Sequence, residues 1–86
     1  MRVQRRQPTD VLIRQGERVV LVDGRLVRLS PISSAMWDLT AEPIDVEQLA
    51  GELEELFGAP QGRSTLDATK DAVADLVHHG VLRQSG

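Results

Sequence analysis

Three groups of side chains in this 86-residue sequence have the types that covalent or metal chemistry uses. The first is Ser33-Ser34. A nucleophilic serine needs a base beside it and a group that orients the base. These two follow Pro31 early in a helical pattern, with no elbow motif around them. The second is His78-His79. Adjacent residues on a helix point about 100° apart, and the i, i+4 spacing of helical zinc sites is missing. The pair suits a helix C-terminus, where cations meet the dipole, better than a metal. The third is acidic: Asp67, Asp71 and Asp75 recur at i, i+4 and i+8, with Lys70 beside them. The 13 carboxylates, these three included, are spread mostly over the outer faces of helices, with no acid paired to a base. Gly58 and Gly62 lack the following Lys-Ser/Thr of a phosphate loop. Cysteine is absent, which excludes disulfides and thiolate sites. The pattern points away from an enzyme and implies no cofactor and no metal. What remains is the acidic ribbon, either a solvated face or a wall for a basic or polar partner.

The elements that would hold such a wall begin with a hairpin over Arg18 to Leu29. Val19-Val20-Leu21-Val22 and Leu26-Val27-Arg28-Leu29 flank Asp23-Gly24. Asp-Gly suits a two-residue type I′ turn, in which both central residues take φ > 0. That turn pairs Val22 with Arg25, Leu21 with Leu26, Val20 with Val27 and Val19 with Arg28. Alternation then puts Val20, Val22, Val27 and Leu29 on one face and Val19, Leu21 and Leu26 on the other. One face can be covered by helices; the other needs the rest of the sheet or something from outside. Thr9 to Arg14 reads as a preceding strand, and Gln15-Gly16 as its turn. The result is an antiparallel meander whose last strand, Arg25 to Leu29, lies at an edge. Unpaired edges are guarded or used, and Arg25 and Arg28 are partial guards.

Three helices follow. Ser30-Pro31 supplies an N-cap and an N1 proline. Ile32, Ala35, Met36 and Leu39 then form a stripe to about Thr40, with Trp37 off it. Glu42-Pro43 breaks that helix. Asp45 opens the second, with Gln48 as a capping box, and its stripe is Val46, Leu49, Ala50, Leu53, Leu56 and Phe57. Gly58 stops it. Ser64 or Thr65 caps the third, with Asp67 in its first turn. Its core side is Leu66, Val73, Leu76 and Val77, and Gly80 ends it, with Val81 and Leu82 as a short tail. Residues 1–8, with three arginines and Pro8, read as a flexible basic arm, and 9–83 as one domain. The expected fold is α+β and winged-helix-like: a three-stranded antiparallel sheet followed by three helices.

Bulk composition agrees with a small globular domain. Hydrophobic content is 41%, charged content 27% and net charge −3. The acidic balance gives no general reason to expect nucleic acid. One Phe, one Trp and no Tyr leave little for base stacking. No stretch approaches the roughly 20 apolar residues of a membrane span, and the basic N-terminus lacks the apolar run of a signal peptide. A cytoplasmic location and no membrane partner are expected. A winged-helix DNA-binding regulator is the alternative that the topology suggests. Its recognition helix would carry Asp67, Asp71 and Asp75 against phosphate, with only Lys70 and the histidines to help.

The order of residues resembles the PqqD family, the precursor recognition elements of ribosomal peptide (RiPP) biosynthesis. The matching residues are the hairpin ending Leu29-Ser30, then Ala35-Met36-Trp37-Asp38-Leu39. Next come Val46-Glu47-Gln48-Leu49-Ala50 through Leu53 to Phe57. Asp71-Ala72-Val73 through Leu76 and Gly80-Val81-Leu82 complete the series. The likeness spans roughly residues 10–83. It departs from members of the PQQ pathway, lacking their apolar-Pro-Glu-Arg run after Leu12-Ile13 and an Asp-Gly after the first helix. It looks more like stand-alone members from lasso-peptide clusters.

The resemblance implies no catalysis. It implies a precursor leader peptide bound as an added strand on the third meander strand, in a cleft whose other wall is the third helix. Carried onto this sequence, Arg25, Leu26, Val27, Arg28 and Leu29 would offer the strand. Asp67, Lys70, Asp71, Ala74 and Val77 would form the wall. Further partners so implied are a separate, transglutaminase-like leader peptidase and, indirectly, a cyclase.

Overall fold

A computed structural model describes residues 1–8 and 10–85. The elements are β1 (Arg2–Arg5), β2 (Asp10–Arg14), β3 (Glu17–Val22), β4 (Arg25–Leu29), α1 (Pro31–Leu39), β5 (Ile44–Asp45), α2 (Val46–Phe57), α3 (Thr65–His78) and β6 (Leu82–Gln84). The fold is α+β and winged-helix-like, with two three-stranded antiparallel sheets in the orders β2-β3-β4 and β5-β1-β6.

The meander follows from its turns. Gln15 and Gly16 take φ of +54° and +80°, and Asp23 and Gly24 take +50° and +77°. Both connections are therefore two-residue loops with both central residues left-handed, which matches the twist of the flanking strands. Their closure sets the register: Val22 with Arg25, Leu21 with Leu26, Val20 with Val27 and Val19 with Arg28. On the other side of β3, Leu12 meets Val19 and Val11 meets Val20. Thr9, expected at the start of this strand, lies outside the described residues. Period-2 alternation gives the meander two faces. Val20, Val22 and Leu29 are buried in the core with Val27 at its margin. On the opposite face Val19 is buried, but Leu26 stands 59% exposed.

The helices begin where their caps put them. The Ser30 hydroxyl accepts the Ser33 amide, and the Ser64 hydroxyl accepts the Asp67 amide. α2 differs. Asp45 is its N-cap but makes no side-chain cap bond; the expected capping box with Gln48 is not formed. The reason is that Asp45 already serves as a strand residue opposite Arg2, 4.0 Å from its guanidinium. The Val46 amide donates instead to the Met1 carbonyl at 2.9 Å.

The largest departure from the sequence reading is at the N-terminus. Residues 1–8, expected as a loose arm, contain the central strand of the second sheet. Val3 is fully buried, pairing with Ile44 on one side and Gln84 on the other. The tail expected at Val81 and Leu82 is likewise buried, and Leu82 opens β6. Trp37, off the apolar stripe of α1, is buried because β1 covers that side, with Arg5 stacked on the ring. Conversely Ile32, Leu56 and Phe57, counted on core stripes, are exposed. All three sit at helix ends, where the stripe runs past its partner. The core is closed by Met36, Leu49, Leu53, Val73 and Leu76, where α1, α2 and α3 meet the two sheets.

Candidate functional site

The meander has two open edges, β2 and β4. In a two-residue hairpin the closing pair exchanges both backbone bonds, and such pairs alternate along the ladder. On β4 the closing residue is Arg25, so Arg25, Val27 and Leu29 bond to β3. The amides and carbonyls of Leu26 and Arg28 point outward. The side chains follow the same period of two: Arg25, Val27 and Leu29 share the core-side face, with Arg25 exposed at the turn, and Leu26 and Arg28 are exposed on the other. The Arg28 guanidinium lies 3.2 Å from the Glu17 carboxylate across the outer face. It therefore reaches back over β3 rather than along the edge.

Arg6 fixes the hairpin against α3. Its guanidinium pairs with Asp23 in the turn at 3.2 Å and reaches the Gly80 carbonyl at the end of α3. Its amide donates to the Val81 carbonyl at 2.9 Å. Gly80 has φ +79°, and a Cβ there would stand 3.1 Å from the Arg6 guanidinium and 3.4 Å from Val22. The left-handed φ favours glycine here, and an added Cβ would press on the Arg6 guanidinium that ties the helix end to the hairpin. β4 therefore starts beside the C-terminal end of α3. Beyond that point β4 packs on β3 and α1, while α3 packs on α2 and β6. Val27 and Val77 each pack, half-buried, against the margin of the same core.

The proposed wall residues divide by burial. Val77 is half-buried, and Asp67, Lys70, Asp71 and Ala74 are exposed. The ribbon is less free than its spacing suggests. Asp71 is paired with Arg63, and Asp75 with His79 at 3.6 Å. His78 and His79 stack edge to face, 5.5 Å between centroids. Ser33 is bonded to the Ser30 cap. Nothing among these side chains aligns a base on a nucleophile.

One feature was not legible in the sequence. An apolar groove of about 280 Å³ runs between α2 and α3, lined by Ile32, Leu53, Phe57, Pro60, Ala68 and Ala72 among others. Its signal was the run of stripe residues past helix ends, which reads equally well as core. No helix among the described residues is long and apolar enough to cross a membrane.

A small α+β domain with an open sheet edge tethered beside a helix end has the geometry that strand-adding peptide-recognition modules use. Comparison gives the family. The PqqD family, described as coenzyme PQQ synthesis protein D, matches residues 12–82, and the chain belongs to it. No curated protein and no solved structure matches the chain. Family membership supports recognition of a precursor peptide in RiPP biosynthesis, a role that is not itself catalytic. The DNA-binding alternative gains no support, and the exposed face of α3 carries three aspartates that phosphate would repel.

Proposed function

We propose that this chain binds the leader of a ribosomally made precursor peptide, of the lasso-peptide type, by strand addition to β4. It then presents that peptide to a separate leader peptidase of transglutaminase-like type, with a cyclase acting afterwards in the cytoplasm. The observation that carries the reading is the open β4 edge. Leu26 and Arg28 present outward amides and carbonyls, and the turn at the head of β4 is bolted to α3 by Arg6. Backbone bonds along Leu26 and Arg28 supply affinity, and side chains on either flank supply specificity. On the helix side the guest meets Asp67, Lys70, Asp71, Ala74 and Val77. A leader with basic or polar groups at that flank is favoured.

The register selects the test. The Val27 amide bonds to β3, so proline there breaks the hairpin itself. Proline at position 28 removes an outward amide and leaves the internal ladder intact. A labelled synthetic leader, from a precursor encoded beside this chain, is titrated by fluorescence anisotropy. Binding with a Kd of about 1 µM or tighter is expected. Arg28→Pro should weaken it about tenfold, one lost backbone bond with local misfit, while Arg28→Ala changes it little. Equal binding by a folded Arg28→Pro variant rejects strand addition at β4.

A further inference from the structure

The second open edge, β2, is unlike β4. All five residues of Asp10-Val11-Leu12-Ile13-Arg14 are exposed, Ile13 to 71%. With Val11 at 38% and Leu12 at 42%, the apolar centre is only partly covered on either face of the strand. Val11 and Ile13 lie on the face of Val20, Leu12 on the face of Val19. Exposed apolar edges are liabilities unless something occupies them.

The strand is complementary to itself. Arg14 closes the two-residue hairpin opposite Glu17. By alternation the backbone groups of Val11 and Ile13 point away from β3. The Val11 amide bears this out, since it donates to the Asp10 carboxylate at 2.8 Å rather than to the ladder. Two copies set antiparallel about a two-fold axis at Leu12 place Val11 opposite Ile13 of the partner subunit. Those are the positions whose outward groups can exchange four backbone bonds across the junction once each Val11 amide is released from Asp10. The same register places Asp10 opposite Arg14 of the partner subunit at each end, and Leu12 against Leu12 of the partner subunit between them. Opposite charges at both ends of an apolar centre give an isologous contact.

From this palindromic charge and bonding pattern we propose that β2 is a homodimer contact, joining two meanders into one six-stranded sheet. A single strand pair is small for an interface, below about 1,200 Å² in total, so the dimer is reversible and concentration-dependent. Each β4 stays open at an outer end of the joined sheet. The proposal is thus independent of peptide recognition at β4, and two guest edges face opposite ways.

Sedimentation velocity of the pure chain, from about 10 to 500 µM, spans the range in which weak contacts of this size associate. A rise from one chain mass towards two is expected. Arg14→Asp places carboxylates opposite each other at both ends and should weaken association about fivefold or more. The double variant Asp10→Arg/Arg14→Asp restores opposite charges and should return to within about threefold of the original. Ile13→Lys should remove the dimer while leaving the circular dichroism and melting of the monomer unchanged, because Ile13 supports no core packing. A chain that stays monomeric throughout overturns the proposal, as does a dimer indifferent to Arg14→Asp and Ile13→Lys. Loss of leader binding in Ile13→Lys would assign the edge to the peptide and would equally overturn it.

Discussion

Arg5 lies over Trp37. Its guanidinium carbon is 4.9 Å from the ring centroid, and its Nη1 donates to the Trp37 carbonyl at 3.3 Å. With the Arg5 amide donating to the Thr40 carbonyl at 2.9 Å, one residue joins β1 to the end of α1. Cation–π contacts at partly desolvated sites are worth about 1 kcal/mol. Arg5→Ala should lower unfolding stability by about 1–2 kcal/mol in urea titration. Arg5→Lys should recover part of it, since an ammonium keeps the charge over the ring but loses the planar donor. A variant as stable as the parent would show the stack to be incidental.

Val3 makes the N-terminus structural. Truncating this fully buried valine to alanine removes two methyl groups from between β5 and β6, a loss of about 2 kcal/mol. Removing residues 1–5 should do more, because Ile44, Leu82 and Trp37 lose their cover together. Thermal melting of the two variants reads both effects. A shortened chain that melts like the parent would mean that the second sheet contributes nothing.

Two stripe residues of α2 four positions apart should respond unequally to alanine. Leu53 is buried while Phe57 is 47% exposed. Leu53→Ala should cost about 2–4 kcal/mol by leaving a cavity; Phe57→Ala should stay within about 1 kcal/mol. Similar losses at both positions would show that the stripe is core over its whole length.

Gln15 is a side-chain-bearing residue at φ +54°, in a turn where asparagine is preferred. Gln15→Asn should raise stability by about 0.5–1 kcal/mol, relieving left-handed strain. The gain should show as a shift of the urea midpoint with unchanged slope. No gain would mean that the turn is already relaxed.

The acidic flank of α3 gives a binding prediction that rests on peptide recognition at β4. Asp67→Lys combined with Asp71→Lys should weaken a leader with basic groups at that flank. The loss should shrink as salt rises, because exposed charges are screened. A salt-independent effect would place the loss in packing rather than charge.

Sequence alone determined the meander and the helix starts. A type I′ turn, a Ser-Pro cap and period-2 or 3.6 patterns are local. Asp23-Gly24 fixes the pairing of Val20 with Val27 through a handful of adjacent torsions. The same locality made Arg25 to Leu29 legible as an edge, and the order of soft motifs pointed to the family that residues 12–82 match. Tertiary structure decided what local pattern cannot carry. The polar run Arg2-Val3-Gln4-Arg5 has no strand signature of its own. It becomes a central strand because Ile44 and Leu82, distant in sequence, need a partner over one buried valine. Capping by Asp45 gives way to its place opposite Arg2. Whether Ile32 and Phe57 are core or groove depends on where a neighbouring helix ends, and a periodic stripe does not record where its partner stops.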